Sequence, residues 1–140
     1  MAAIKTLTVT THGPDRWKIE THAGKHPLIV DQPESLGSND QGPSPLDYVF
    51  VALASCIITI GKMVAMQKKI TLRSMECVIN GDINLDILRG KEMNEWSGFK
   101  NISAEVKIDT DLNEQEKKEF MEEVDRRCPV SDNLITTTPI

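Results

Sequence analysis

Three cysteines, Cys56, Cys77 and Cys128, are the side chains best able to do covalent chemistry, and each has a different sequence neighbourhood. Cys56 follows the small-residue run Ala52-Leu53-Ala54-Ser55, Cys77 stands in Met75-Glu76-Cys77-Val78-Ile79, and Cys128 in Arg127-Cys128-Pro129-Val130-Ser131. No Cys-x-x-Cys pair and no His-rich spacing accompanies them, so zinc is not expected. His12, His22 and His26 fall in Gly- and Pro-punctuated strand sequence and read as surface or strand residues. The first residues lack a basic stretch followed by an apolar run and a cleavage site, so a reducing, cytoplasmic setting is expected. Three thiols in that setting do not make a disulfide scaffold; they are either reactive or buried as small apolar groups.

A thiol acts as nucleophile only as thiolate, which an apolar helix disfavours and which the dipole of a distant helix N-terminus does not rescue. A cation near Cys56 is therefore required. Arg16, the only arginine upstream of Cys56, reads from its surroundings as an exposed strand residue beside Trp17. Arg126 and Arg127 adjoin Cys128 and are the alternative donors. Asp47 precedes Cys56 by nine residues, which on one helix turns it to the opposite face at about 13 Å along the axis. Direct contact between the two is excluded, and capping of the helix is an equally good role for Asp47.

The elements that must position these groups follow from residue pattern. Residues 3 to 11 alternate and are rich in β-branched types, and His12-Gly13-Pro14-Asp15 reads as a turn. Arg16 to Thr21 and Pro27 to Val30 continue an antiparallel meander, and Asp31 to Pro43, with its Pro, Gly, Ser and Asn, is a loop. Ser44 as N-cap, Pro45 at the first helical position and Asp47 three after the cap start a long helix. From Val49 to Ile60 it is apolar on every face, which predicts a helix surrounded by other elements. Its apolar run, Tyr48 to Ile60, is broken by Ser55 and Thr59 and closed by Gly61-Lys62, short of the roughly 20 residues of a membrane span. Ser74 to Leu85 and Phe99 to Asp109 read as strands joined by a polar connection, 86 to 98. Asn113 to Arg127 is an amphipathic helix through Phe120, Met121 and Val124, with Cys128-Pro129 ending it or starting a further short helix.

Gly42-Pro43-Ser44-Pro45-Leu46-Asp47 with Ala52-Leu53-Ala54-Ser55-Cys56, followed by Arg127-Cys128-Pro129-Val130-Ser131, resembles the OsmC/Ohr family of thiol-dependent hydroperoxide reductases. The resemblance covers nearly the whole chain. It implies an α+β fold built as an intertwined homodimer, long central helices wrapped by antiparallel sheets from both subunits. It implies that the Cys56 thiolate attacks the peroxide, that Cys128 resolves the product as a disulfide, and that Arg16, from the N-terminal strand region, activates the first thiol. The family's glutamate near the start of the central helix has Asp47 in its place, one methylene shorter. Cys77 lies beside neither motif and reads as packing.

With 140 residues the chain is expected to be a single domain, residues 1–140, and its net charge of −5, with scattered acidic residues, gives no footprint for nucleic acid or an anionic membrane. The expected partners are a second copy, a small hydroperoxide and an external dithiol, with no cofactor, in defence against oxidative stress. A dimeric module that binds an apolar ligand, or senses redox state without turnover, is the alternative, supported by the changed carboxylate. A structural stress protein with unreactive thiols is a third.

Overall fold

The computed structural model describes residues 2–140. The chain forms two compact units, one ending at Val49 and one running from Phe50 to Ile140. All strand pairings are antiparallel and the elements mix helices with sheets, the α+β class expected.

The first unit holds β1 (Val9–His12), β2 (Ile19–Ala23) and β3 (His26–Val30) in the order β1-β2-β3. Gly24, at φ 61°, takes the positive-φ position of the tight turn between β2 and β3. The first strand is shorter than the alternation of residues 3 to 11 predicts. Val9 is already opposite Ala23, the last residue of β2, so nothing lies across from residues 3 to 8, and Ile4 and Leu7 are exposed. The loop after β3 is tied down by Asp31, which is 1% exposed. Its carboxylate accepts from the backbone N–H of Gln32 at 2.8 Å and of Gln41 at 3.0 Å, and from the Ser38 hydroxyl. Its own N–H donates to Pro43 at 3.1 Å, closing the loop at its base.

The helix α1 (Pro45–Lys68) begins in the first unit and continues through the second. Ser44 and Asp47 form the cap that the sequence predicts. Asp47 N–H donates to Ser44 Oγ at 3.2 Å, while Asp47 Oδ2 accepts from Ser44 N–H at 2.9 Å and from its hydroxyl at 2.6 Å. Tyr48 Oη donates to the carbonyl of Ile29 at 2.7 Å, fastening the first turn to β3. At the far end Lys69 adopts a left-handed φ of 56°, and Ile70 N–H reaches back to Ala65 at 2.8 Å. That pattern is a Schellman ending, made without the usual glycine.

The second unit is a long two-stranded ribbon, β4 (Leu72–Asp82) with β5 (Asn101–Thr110), packed with α1 and with α3 (Glu114–Arg127). Met75, Cys77 and Ile79 alternate inward from β4 and Ile102, Val106 and Ile108 from β5, as period-2 strands with one buried face must. A capping box of Asn113 and Glu116 starts α3, which contributes Phe120 and Val124 to the core. Within the connection between β4 and β5 the chain makes a single short helix, α2 (Leu85–Leu88), capped by Asn84.

The surroundings of α1 differ from the all-round burial expected. Leu53, Ile57, Gly61, Val64 and Ala65 are buried along one stripe, but Val51 and Met66 are 55% and 74% exposed. The ribbon and α3 cover only one side. The apolar character also continues past Gly61 through Met63, Val64, Ala65 and Met66. At 24 residues, with a mean hydropathy of 2.1 over an 18-residue window, α1 has the length and composition to cross a membrane. Its buried stripe is the inner layer of the second unit, which is the use a core helix has. Gly61 lets β4 come close, and a Cβ there would meet the sulfur and methyl of Met75 at 2.5 and 3.0 Å, so that flexible side chain would have to move.

Candidate functional site

Pro129 has no N–H and disfavours helical backbone at the residue before it, so α3 stops at Cys128. Cys128 takes an extended conformation, φ −81° and ψ 105°, and closes α3 while opening α4 (Pro129–Ile135). It is completely buried, within the core cluster that includes Leu53 and Ile57 of α1. Cys56 sits between those two on the helix, half-buried, and packs against the same cluster.

The fold therefore brings together the two cysteines that the sequence motifs single out, 72 positions apart (128 − 56). Both are free thiols, and Cys56 packs against the cluster that holds Cys128, near enough to influence its titration. Burial pushes the Cys128 thiol up, and Cys56 beside it adds to the effect. The backbone N–H groups of Ser131 and Val130 face its sulfur and pull the other way, although no full cap hydrogen bond forms. Cys128 is thus held protonated at neutral pH, while Cys56 is the more accessible of the pair.

A cavity of about 330 Å³ in the second unit shares Leu53 and Ile57 with the core cluster that holds Cys128. Leu53, Ile57, Ile102 and Leu134 give it apolar walls, and Asp125 with Ser131 forms a polar edge. Ser131 Oγ donates to Asp125 Oδ1 at 3.1 Å. Sequence reasoning passes over Asp125, because i to i+6 across a proline corner is neither helical nor strand spacing. Ser131 is visible only as part of the Cys-Pro-Val-Ser motif.

The remaining candidates have contacts of their own. Arg16 is exposed in the bend before β2, in the first unit, its guanidinium carbon 5.4 Å from the Trp17 ring centroid in a cation–π stack. Asp47, also in the first unit, has one carboxylate oxygen committed to Ser44. Arg127 donates to Gln67 Oε1 at 2.9 Å and to Glu123 Oε1 at 3.1 Å. Gln67 is eleven residues beyond Cys56 on α1, about 16 Å along the axis, so these contacts hold Arg127 at the wrong end of the helix to serve that thiol. Arg126 is exposed on the same last turn. Burial also pushes the Cys77 thiol up, and Cys77 sits opposite Val106 on the inner side of the ribbon. Among the described residues no cluster of three or more His, Cys, Asp or Glu is arranged to hold a metal ion.

The family profile of the OsmC-like proteins matches residues 37–140, from the loop before α1 through α4, and so contains both cysteines. The chain belongs to the OsmC-like family. Solved structures agree on the fold. An OsmC-like protein from Mycoplasma pneumoniae is 21% identical, with 95% of this chain and 89% of that one covered and a TM-score of 0.82. An organic hydroperoxide resistance protein OsmC from Legionella pneumophila is 22% identical over 96% and 92% of the two chains, with a TM-score of 0.70. An organic hydroperoxide resistance protein from Elizabethkingia anophelis is 17% identical over 98% and 93%, at 0.67. No curated protein matches this OsmC-like chain in sequence.

Proposed function

We propose that this OsmC-like protein is a thiol peroxidase that reduces organic hydroperoxides through Cys56 and Cys128. The observation that carries the reading is that one core cluster gathers both free thiols, Cys128 fully buried within it and Cys56 packed half-accessible against it. In the proposed cycle the Cys56 thiolate attacks the terminal oxygen of the hydroperoxide, the O–O bond breaks, and the alkoxide leaves as alcohol after taking a proton. Cys56 is left as sulfenic acid. Cys128 attacks its sulfur, water leaves, and an external dithiol reduces the resulting disulfide. Arg16 is proposed as the cation that stabilises the Cys56 thiolate, a role for which Arg127 is poorly suited by its ties to Gln67 and Glu123. Asp47 enters as the residue that fixes the start of α1, with one carboxylate oxygen still able to accept from an arginine.

The names of the Legionella and Elizabethkingia structures, as hydroperoxide resistance proteins, favour this reading over binding without turnover. The whole chain is taken as one functional domain, acting in a reducing compartment as a homodimer in which a second copy covers the exposed side of α1. Consumption of cumene hydroperoxide with a dithiol reductant is the direct test. Turnover by wild type that disappears in Cys56→Ser supports the assignment. Wild type that consumes no hydroperoxide while binding an apolar probe would return the non-enzymatic module to first place.

A further inference from the structure

The corner that carries Cys128 is weakly held by its own backbone. It has one bond from Cys128 N–H to the Asp125 carbonyl at 3.2 Å and one from Asp132 N–H to the Cys128 carbonyl at 3.0 Å. The helix that follows has only seven residues, too few to be stable by itself. One side-chain bond spans the corner from helix to helix, that from Ser131 in α4 to Asp125 in α3. The same two residues, with Asn101, are the polar lining of the cavity that Leu53 and Ile57 also line.

We propose that Asp125 and Ser131 form a latch that positions Cys128 for the resolving step, holding its sulfur against Cys56 and keeping the Cys128–Pro129 corner from swinging open. The inference rests on the thiol-peroxidase reading. In the step concerned, the Cys128 sulfur forms a bond to the sulfur of the Cys56 sulfenic acid, the S–O bond breaks, and the departing hydroxide takes the Cys128 proton to leave as water. No further reactant is needed. Charge develops on the Cys128 sulfur as the proton departs, and the backbone N–H groups of Ser131 and Val130 favour that charge. Their direction depends on where Ser131 is held. Asp125 and Ser131 are positioning residues, acting on the reacting sulfur through the geometry of the corner.

The test compares Asp125→Ala, Ser131→Ala and Ser131→Thr with Asn133→Ala, which removes a bond confined to α4, from Asn133 to the Pro129 carbonyl at 2.9 Å. Two rates are followed with cumene hydroperoxide, consumption of the first equivalent and decay of the sulfenic acid, read by quenching samples with dimedone at successive times. Asp125→Ala and Ser131→Ala should slow the second about threefold to tenfold, the worth of one hydrogen bond, and leave the first unchanged. Ser131→Thr should restore it and Asn133→Ala should behave as wild type. A readout without peroxide runs beside these: iodoacetamide should label Cys128 faster, relative to Cys77, when the latch is cut. Unchanged resolution and unchanged labelling in both alanine variants would overturn the latch, as would equal slowing in Asn133→Ala. If wild type consumes no hydroperoxide, the peroxidase reading fails and labelling alone decides the latch.

Discussion

At the scale of single residues, the two thiols that share one core cluster differ in access, and the proposed cycle divides the work between them on that difference. A completely buried thiol whose ionisation burial opposes is a poor first nucleophile but a good second one, since it waits protonated until its neighbour is oxidised. One equivalent of organic hydroperoxide should therefore give an intramolecular Cys56–Cys128 disulfide and leave Cys77 free to alkylate, as peptide mapping would read. A bridge through Cys77 would exchange the roles proposed here. Cys128→Ser should still consume about one peroxide per subunit and then stall as sulfenic acid. Arg16→Ala should slow the first equivalent while Arg127→Ala leaves it near wild type; the reverse order would move the activating cation to the end of α3. The cysteine pair is legible in sequence because each thiol carries its own motif. The Asp125–Ser131 bond is not, because it exists only once Pro129 has turned the chain.

At the scale of elements, the ribbon and the loop after β3 each depend on one residue. At Gly81 an added Cβ would meet the Asn101 carbonyl at 2.9 Å and Phe50 at 2.7 Å, where Phe50 stacks on Phe99 with centroids 4.7 Å apart. The Asn101 carbonyl is backbone and cannot step aside, so Gly81→Ala should destabilise by about 1–3 kcal/mol, measured by denaturant unfolding. A loss below the error of that measurement would mean the ribbon shifts freely. Asp31 behaves differently. The Ser38 hydroxyl, then the backbone N–H groups of Gln41 and Gln32, hold its carboxyl below its ordinary value of 3.8. A lowered folded value contributes stability that is fully present above that ordinary value and lost as pH falls through the folded one. The melting temperature of wild type should therefore drop more steeply than that of Asp31→Asn between about pH 4 and pH 2, and parallel curves would remove Asp31 from the account. Helix starts are readable because caps are local: Ser44, Pro45 and Asp47 declare α1 by themselves. The length of β1 is not readable, because it depends on where β2 turns.

At the scale of the whole molecule, the half-covered α1 is where the proposed assembly would form. Val51 and Met66 stay exposed on a helix whose opposite stripe is core, and a second copy is the proposed cover. Light scattering at micromolar concentration should give a dimer, and Met66→Lys should shift it toward monomer while leaving the buried stripe intact. A monodisperse wild-type monomer would refute the arrangement. The all-round apolarity of α1 is plain in sequence; which of its faces its own chain covers is not, since that is decided by residues 72 to 127. The same order has a consequence during synthesis. The helix leaves the ribosome complete at Lys68, but the α3 residues that shelter it end at Arg127, about 60 residues later, or about 3–12 s at ordinary elongation rates. For that interval the nascent chain displays a 24-residue apolar helix with the hydropathy of a membrane anchor and nothing folded over it. It is then a natural client for chaperones and a competitor for the machinery that inserts membrane proteins.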